Sequence, residues 1–588
     1  MSAAARTDGA PAPKRARTSA LSADIKENEA QPSADAAAEE LGAEDWARLA
    51  RDAETESVPV RRDLYLDTIN RNLLDFDFEK LCSVSLSNVN IYACLVCGKY
   101  FQGRGKKTHA YFHSINDEHH VFMNLETAKV YVLPDNYEVQ DPSFSDIQYQ
   151  LSLTFTEKQI AQLDAPDAPL SRGLDAQTYL PGFVGLNNIS HNDAMNVVIQ
   201  ALVHVPPLRN YFLRGGVPRA ARGKVDVRGA STVSEAAGEL AHSTELVQRF
   251  ATLVRRIWNP HGFKGQVSPH EFLQEVANAS QGRFKLTEQG DPVEFLGWLL
   301  NRLHMDLAGS ASAARKRPTI ITRCFQGGVR VESQNVIVRT GLEDEVVDKL
   351  DHDGRRSGGQ QDESGRAKFN INKEIKVDVS PFLLLAIDLP PAPVFQDVAE
   401  ENIIPQVPIS HVLAKYDGET FQESNGVIRR YHLTKLPPYL ILHYRRFTKN
   451  RFVEERNPTI VNFPTVGLDL RDYVQAPPPD EPTIGTVYNL LSNITHEATP
   501  GTVRENSVWH SQVHTRTDGA TDAKEAAPGE ERWFQMQDLI VEDVNKQMLF
   551  LGESYIQIWE RAGAVPEVER DAQRLVLPRQ KHSASKKV

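Results

Sequence analysis

A cluster of cysteines and histidines near residue 100 constrains the fold of this chain more than any other feature. It comprises one Cys-x-x-Cys pair and four histidines that follow it closely: Cys94, Cys97, His109, His113, His119 and His120. Zinc takes four nitrogen or sulfur ligands in a closed tetrahedral site, and two thiolates with two imidazoles meet that need. The alternative is a buried pair of free cysteines with surface histidines. The chain has only four cysteines, so the pattern predicts a metal site in a reducing compartment rather than a disulfide framework.

Length and charge limit what else the chain can do. It has 588 residues and a net charge of −12, which predicts several domains. The acidic balance argues against broad electrostatic binding to nucleic acid and leaves room only for local RNA contact. No run of about 18 apolar residues occurs, so we expect no membrane span. Residues 1–60 are predicted to be a disordered tail, in which the basic segment Pro13–Thr18 is either a nuclear import signal or merely solvated.

Hydrophobic periodicity divides the remaining chain into four parts. Residues 61–140 mix aromatics, cysteine and histidine, and "VFMNL" and "KVYVL" alternate like paired strands of a small module. Residues 141–181 are predicted to be a linker with a helix. Residues 182–562 begin with apolar helices and continue with strands, of which "TIITRCF" (319–325) is predicted to be the first. Residues 563–588 form a C-terminal tail, and the predicted fold class is α+β.

The segment 185–202, "GLNNISHNDAMNVVIQAL", is a Gly/Asn/Ser-rich turn that leads into an apolar helix. Asp193 stands at the helix N-terminus, where many folds place a nucleophile. A cysteine there would have a lowered pKa and react readily. Aspartate is also favoured, because it can cap free N–H groups and meet the positive end of the helix dipole. Asp193 is therefore interpreted as a helix cap, with a carboxylate nucleophile as the alternative.

Three stretches of the small module, "YACLVCGKYFQGR", "THAYFH" and "EHHVFMNL", resemble UBP-type zinc fingers. The resemblance implies one structural zinc ion held by an intact ligand set: Cys94, Cys97, His113 and His119. A second ligand set of the family is broken, because Ser85 and Gln102 stand where cysteines are expected. Cys82 and His109 are its remnants and are expected to be structural or hydrogen-bonded. In active relatives this finger holds the free C-terminal tail of ubiquitin.

The large unit resembles the catalytic domain of ubiquitin-specific proteases, the peptidase C19 family. The matching stretches include "GLNNISHNDAMNVVIQAL", "GDPVEFLGWLLNRLH", "LPPYLILHYRRF" and "SYIQIWER". The resemblance implies a papain-like fold with a helical thumb and β-rich palm and fingers. It places Asp193 at the nucleophile, Ser507 at the base and Gln537 at the orienting residue, with His510 and His514 near Ser507. Thiol proteolysis needs all three groups, so the chain is expected to be a pseudo-deubiquitinase.

The finger together with "SYIQIWER" resembles the inactive, ubiquitin-specific-protease-like family of splicing factors. That resemblance implies a nuclear pre-mRNA splicing factor, a non-catalytic scaffold for assembly and stability of the U4/U6.U5 tri-snRNP. The implied partners are U5 scaffold proteins and the snRNA-unwinding helicase. Two other functions stay open: a receptor for ubiquitin or a ubiquitin-like protein, and an active deubiquitinase.

Overall fold

The computed structural model describes residues 64–165, 170–214, 243–309, 317–335, 375–391, 405–424, 426–449, 454–475, 485–498, 507–515, 532–565 and 568. The predicted N-terminal tail, residues 1–60, and nearly all of the predicted C-terminal tail lie outside these ranges. Within them, no helix combines the length and the apolar character that a bilayer span requires.

The first folded module is built on an antiparallel sheet of short strands. The strands are β1 (Ile91–Cys94), β2 (Tyr100–Gln102), β3 (Val121–Asn124), β4 (Val130–Val132) and β5 (Tyr137–Val139). Their order across the sheet is β2-β1-β3-β4-β5. β3 and β4 are the two strands predicted from apolar alternation, and their pairing is confirmed by the register of Val121 opposite Val132.

Alternate side chains of this sheet enter two separate cores. Ile91 belongs to one core and its neighbour Tyr92 to the other, because successive strand residues point to opposite faces. Helix α1 (His109–Asn116) contributes to the core of Tyr92. Helix α2 (Ser145–Leu151) covers the core of Ile91 with its fully buried Ile147. The helix of the predicted linker, residues 141–181, therefore packs against the core of the finger.

A set of helices follows and packs into the largest apolar core. They are α3 (Glu157–Gln162), α4 (Asp193–Val203), α5 (Pro206–Arg214), α6 (Glu245–Ile257), α7 (His270–Ala279), α8 (Pro292–Ala308) and α9 (Ile320–Phe325). All residues of α4 are buried, because this helix packs between α8 and strands of the following sheets. Short strand pairs accompany the helices: β6 (Ser171–Arg172) with β7 (Thr178–Tyr179), and β8 (Gly185–Leu186) with β9 (Gln266–Val267).

The second half of the unit consists mainly of two sheets. Strands of the larger sheet are β12 (Leu385–Asp388), β16 (Tyr439–Arg445), β20 (Leu468–Asp469), β21 (Val487–Ala498), β22 (Ser507–His514), β23 (Trp533–Gln537), β24 (Ile540–Val544) and β25 (Glu553–Arg561). They are ordered β12-β16-β25-β21-β22-β23-β24, with β20 beside β21. Strands of the smaller sheet are β10 (Gly327–Asn335), β11 (Lys376–Phe382), β14 (Asp417–Ser424) and β15 (Val427–Lys435).

Four shorter strands and one short helix complete this half: β13 (Gln406–Pro408), α10 (Ile409–Leu413), β17 (Phe447–Lys449), β18 (Glu454–Arg456) and β19 (Ile460–Asn462). β13 pairs with β19, and β17 pairs with β18. The succession of a small mixed module, a helical part and a β-rich part confirms the predicted α+β fold class.

The predicted strand over 319–325 is wrong, since these residues form the start and body of α9. Four of its side chains are buried at helical spacing: Ile320, Ile321, Cys324 and Phe325. The hydroxyl of Thr322 accepts a hydrogen bond from the Thr319 N–H at 3.0 Å, an interaction that supports a helix start. The β-branched composition favoured a strand, but packing against the helical core decided the outcome.

A buried ionic network joins the finger to the helical part. Arg256 of α6 lies with its Nε 3.2 Å from Asp77 Oδ1 and donates to the Phe76 carbonyl at 2.6 Å. The same guanidinium lies 3.3 Å from Glu271 Oε2, and the Ser268 N–H donates to Asp77 at 3.1 Å. Burial raises the pKa of Asp77 although Arg256 acts against it. The carboxylate thus depends on these partners to stay charged in the interface.

Candidate functional site

Four predicted metal ligands meet beside the finger sheet: Cys94, Cys97, His113 and His119. Their sulfur and nitrogen ligand atoms all lie within 4.8 Å of one another. The turn after β1 is tight, because Gly98 has a φ of +75° and a Cβ there would lie 2.1 Å from the Leu73 carbonyl oxygen. Only glycine fits this position, and the turn brings both cysteines to one side.

Contacts within the cluster define which nitrogen atoms converge. His113 Nε2 lies 3.3 Å from Cys97 Sγ and 3.0 Å from His119 Nδ1. The other ring nitrogen of His113, Nδ1, lies 2.6 Å from Asp117 Oδ2, and Phe101 stacks on the ring at 4.2 Å between centroids. A carboxylate on the outer nitrogen orients a metal-binding histidine. The set of two thiols and two imidazoles therefore fits a tetrahedral zinc ion.

The two cysteines differ in acidity. A hydrogen bond from the Cys94 thiol lowers the pKa of Cys97 to about 4, and hydrogen bonds to His119 and His113 act in the same direction. The same pairing raises the pKa of Cys94. Because zinc binds thiolates, metal binding would release the proton that Cys94 holds.

Hydrogen bonds occupy the place of the second ligand set. Cys82 is fully buried, and its Sγ accepts from the N–H groups of Ser85 at 3.4 Å and Gln102 at 3.2 Å. The Ser85 hydroxyl donates to Gln102 Oε1 at 2.9 Å. His109 starts α1. In the part of the chain that the structure describes, neither Cys82 nor His109 joins a group of metal-ligating side chains, and Cys82 is hydrogen-bonded, as the sequence suggested.

A second site lies where α4 begins. Asp193 is the first helical residue, and Asn192 before it is the N-cap. Asn192 Oδ1 accepts from the Ile189 N–H at 2.7 Å, and Asn192 rather than Asp193 occupies the N-cap position. Backbone N–H groups of Ala194 and Asp193 nevertheless hydrogen-bond to the Asp193 carboxylate and act to lower its pKa, as expected for a carboxylate at a helix start. The Asp193 carboxylate also accepts from Gln289 Nε2 at 2.9 Å. It is 9% exposed, and burial raises its pKa.

Strand register decides which residue faces Gln537. Ser511 lies opposite Met536, so the preceding residue of β22, His510, reaches Gln537, and its Nε2 lies 3.1 Å from Gln537 Oε1. Ser507 lies opposite Ala498 of β21. His510, which the sequence placed near Ser507, is therefore the imidazole that lies beside Gln537. The assignment of Ser507 to the base position stays a prediction.

Asp538, which directly follows the predicted orienting residue Gln537 in the sequence, connects the two ends of the site. Its side chain accepts from Asn188 Nδ2 at 2.9 Å and from Asn196 Nδ2 at 3.0 Å. Its carbonyl accepts from the Leu186 N–H at 2.7 Å. Asp538 has a φ of +49°, a conformation that Asp and Asn tolerate better than most residues. Its place next to Gln537, where an orienting Asp or Asn is expected, was the sequence signal for this residue.

The chemistry available at this site is limited. Asp193 supplies an anion, not a thiolate, at the helix start. Gln537 offers His510 an uncharged amide, which cannot stabilise an imidazolium as a carboxylate does. Cys324 is fully buried in the helical core, so it cannot act as a replacement nucleophile.

Comparison with known protein families agrees with this architecture. Residues 184–559 match the family model described as ubiquitin carboxyl-terminal hydrolase. The chain belongs to that family. Residues 82–144 match the model of the Zn-finger in ubiquitin-hydrolases and other proteins, which identifies the finger as a zinc-binding module and the four-residue cluster as its candidate site.

Individual relatives cover both modules. Human ubiquitin carboxyl-terminal hydrolase 39 is 46% identical over 84% of this chain and 79% of its own length. The Schizosaccharomyces pombe protein named "Probable mRNA-splicing protein ubp10" is 43% identical over 87% of this chain and 90% of its own. A crystal structure of an essential yeast splicing factor matches with a TM-score of 0.59 and 27% identity, over 84% of this chain and 99% of that one.

Proposed function

We propose that this protein is a nuclear pre-mRNA splicing factor without protease activity, which acts as an assembly and stability factor of the U4/U6.U5 tri-snRNP. One observation carries the proposal: the similarity to proteins named for splicing spans the finger and the protease-like unit together. The S. pombe relative matches 87% of this chain, and 99% of the yeast splicing-factor structure is covered. The relatives thus share the whole arrangement rather than one widespread domain.

The second site supports a non-catalytic role. Thiol proteolysis needs a thiolate, a base and a group that orients the base. The proposed counterparts of these groups are Asp193, Ser507 and Gln537, and the imidazole beside Gln537 belongs to His510. The Asp193 carboxylate accepts a hydrogen bond from Gln289. Asn188, which the resemblance to the protease family places at the asparagine that helps the oxyanion site, donates to Asp538. These bonds stabilise the fold around the former nucleophile without a reactive group.

The joint between the finger and the helical part suits a scaffold. Arg256 reaches one carboxylate, Asp77, and the Phe76 carbonyl across this joint, so the two modules can present one combined surface. The proposed partners are the U5 scaffold proteins and the snRNA-unwinding helicase of the tri-snRNP. The net charge of −12 makes protein contacts the main source of binding, with RNA contact confined to local basic segments.

The decisive experiment is capture of partners from nuclear extract with the tagged full chain. We expect U5 and U4/U6 proteins and snRNAs to be enriched. The variant Asp193→Asn should capture the same set, because the proposed role does not use this carboxylate. Failure to enrich tri-snRNP components with the unmodified chain would contradict the splicing proposal.

Absence of catalysis is tested separately with ubiquitin that carries a C-terminal electrophile. An active ubiquitin-specific protease serves as the positive control. We expect no covalent adduct on this chain after the control has reacted to completion. An adduct at any residue, identified by mass spectrometry, would show that a nucleophile remains.

A second candidate is a non-catalytic receptor for ubiquitin or a ubiquitin-like protein. It is favoured by Arg104, which stands near the Gly-Arg position of the family's finger motif. Its guanidinium lies 4.0 Å from the centre of the Tyr131 ring and donates to Asn136 at 2.7 Å. Titration of the full chain with ubiquitin, and with ubiquitin lacking its C-terminal Gly-Gly, distinguishes the two functions. Tight binding that needs the tail would favour the receptor.

A further inference from the structure

Strand β24 forms one edge of the larger sheet and is open on its outer side. One side of β24 pairs with β23, and among the described residues no strand pairs with the other side. A turn at residues 538 and 539 joins the two strands, so the residues that flank the turn face each other. Because bonded and unbonded pairs alternate along an antiparallel ladder, the main-chain groups of Val541 and Asp543 point outward. They are available to a further strand.

The turn end of β24 carries exposed apolar side chains. Leu539 and Ile540 are each 51% exposed, and Ile189 of the neighbouring loop is 42% exposed. The loop and the turn are joined by the hydrogen bond from Asn188 to the Asp538 carboxylate at 2.9 Å. These apolar side chains therefore stand at a fixed end of the sheet, where contact with a partner would remove them from water.

A row of amide side chains crosses the same sheet and leads to Glu542 on β24. Glu542 lies opposite Gln535 of β23, which is the last amide of the row. Each amide donates to the next one towards β24, at distances of 3.4, 2.9 and 3.0 Å. The members lie directly opposite one another on successive strands: Gln557, Asn493, Gln512 and Gln535. Glu542 therefore continues this polar row to the open edge of the sheet.

Glu542 gives this edge a negative charge that is not neutralised. Its side chain is exposed, and in the part of the chain that the structure describes no cation pairs with it. The neighbouring carboxylate of Asp543 pairs with Arg532 at 2.5 Å, but successive strand residues point to opposite faces. Ile540 and Glu542 share one face, so an added strand would meet an apolar side chain and a carboxylate there.

We propose that the outer edge of β24 binds an extended segment of a partner protein that carries a Lys or Arg and an apolar residue two positions apart. The main chain of this segment would pair with Val541 and Asp543. Its cation would face Glu542, and its apolar side chain would cover Ile540. Addition of a strand to a free sheet edge provides main-chain hydrogen bonds, and opposite charges on opposed residues stabilise the pair. The inference does not depend on the proposed function in splicing, because the edge and its charge belong to the fold itself.

The test uses the full chain and a fluorescein-labelled probe peptide of sequence Thr-Lys-Thr-Val-Thr-Lys-Thr, which fits β24 in either direction. The control peptide carries Glu in place of each Lys. Fluorescence polarisation should show saturable binding of the basic peptide only. Glu542→Lys should weaken this binding by at least about tenfold and allow the acidic peptide to bind, since the charge of the edge is reversed. The matched variant Glu419→Lys, an exposed charge reversal on the edge strand β14, should leave binding unchanged.

A backbone variant tests the strand pairing itself. Val541→Pro removes an outward N–H, a position that proline tolerates on an edge strand, and should abolish binding of the basic peptide. Hydrogen exchange locates the contact, because the peptide should protect the amides of 540–544 and leave those of β14 unchanged.

Four results would overturn the proposal: equal binding of both peptides, unchanged binding in Glu542→Lys, equal loss in Glu419→Lys, or protection elsewhere. Protection of 540–544 by self-association of the chain without peptide would instead assign the edge to a second copy. Protection of the same amides by a single-stranded RNA of random sequence would assign it to nucleic acid. Either outcome would also contradict the proposal.

Discussion

Removal of the Arg256 side chain tests how the finger is held. In Arg256→Ala, Asp77 loses its charged partner and keeps only the Ser268 N–H, at 3.1 Å. The side chains of Arg256, Asp77 and Glu271 are only 13%, 23% and 7% exposed. Removal of one partner from a buried ion pair costs about 3–5 kcal/mol. Glu271 still pairs with Arg249 at 2.9 Å. We therefore expect the loss of stability to lie near the lower end of this range, about 3 kcal/mol.

Native-state hydrogen exchange of the amides in 74–78 and 262–268 measures this loss where it occurs. A change of about 3 kcal/mol corresponds to exchange on the order of 100-fold faster. The matched control is Arg283→Ala, because Arg283 pairs with Glu294 at 2.9 Å but both side chains are more than half exposed. That pair should contribute less than about 0.5 kcal/mol. If the two variants accelerate exchange equally in these segments, the reasoning about the buried network is refuted.

Three further predictions concern the two sites. Cys94→Ser should abolish the one bound zinc ion per finger, as measured by atomic absorption, whereas Cys82→Ser should retain it. Removal of zinc with a chelator should unfold residues 91–132 by circular dichroism and hydrogen exchange while the α4 region stays protected. Asp193→Asn should raise the melting temperature at pH 7, because burial raises the pKa of Asp193 and its ionised form is disfavoured in the folded state. That gain should shrink as the pH falls through the raised pKa towards 3.8, and a gain independent of pH would contradict this cause.

The metal cluster could be predicted because its chemistry depends on residue type and spacing. Few residues besides Cys and His bind structural zinc. A Cys-x-x-Cys turn followed by spaced histidines therefore indicates a metal site more strongly than any other function. The start of α4 was predictable for a similar local reason. A turn rich in Asn and Gly before a continuous apolar run predicts a helix, and all residues of that run are buried.

Features that depend on pairing between distant segments were harder to predict from the sequence. His510 faces Gln537 only because β22 and β23 pair in one register, and a shift in register changes which residue faces Gln537. Asp538 and Asn188 are 350 positions apart, so no local pattern could join them. The strand predicted over 319–325 failed because burial against the helical core outweighed β-branched composition.

The sequence by itself therefore determined the residues of the candidate metal cluster, the absence of a thiol at the start of α4 and the order of the mixed, helical and β-rich parts. These follow from side-chain chemistry and from periodicity within a single segment. Tertiary structure alone decided that His510 stands beside Gln537, that Asp538 links both halves of the second site and that Arg256 joins the finger to the helices. Each of these depends on contacts between segments far apart in the chain, whose geometry exists only once the sheets and helices have packed.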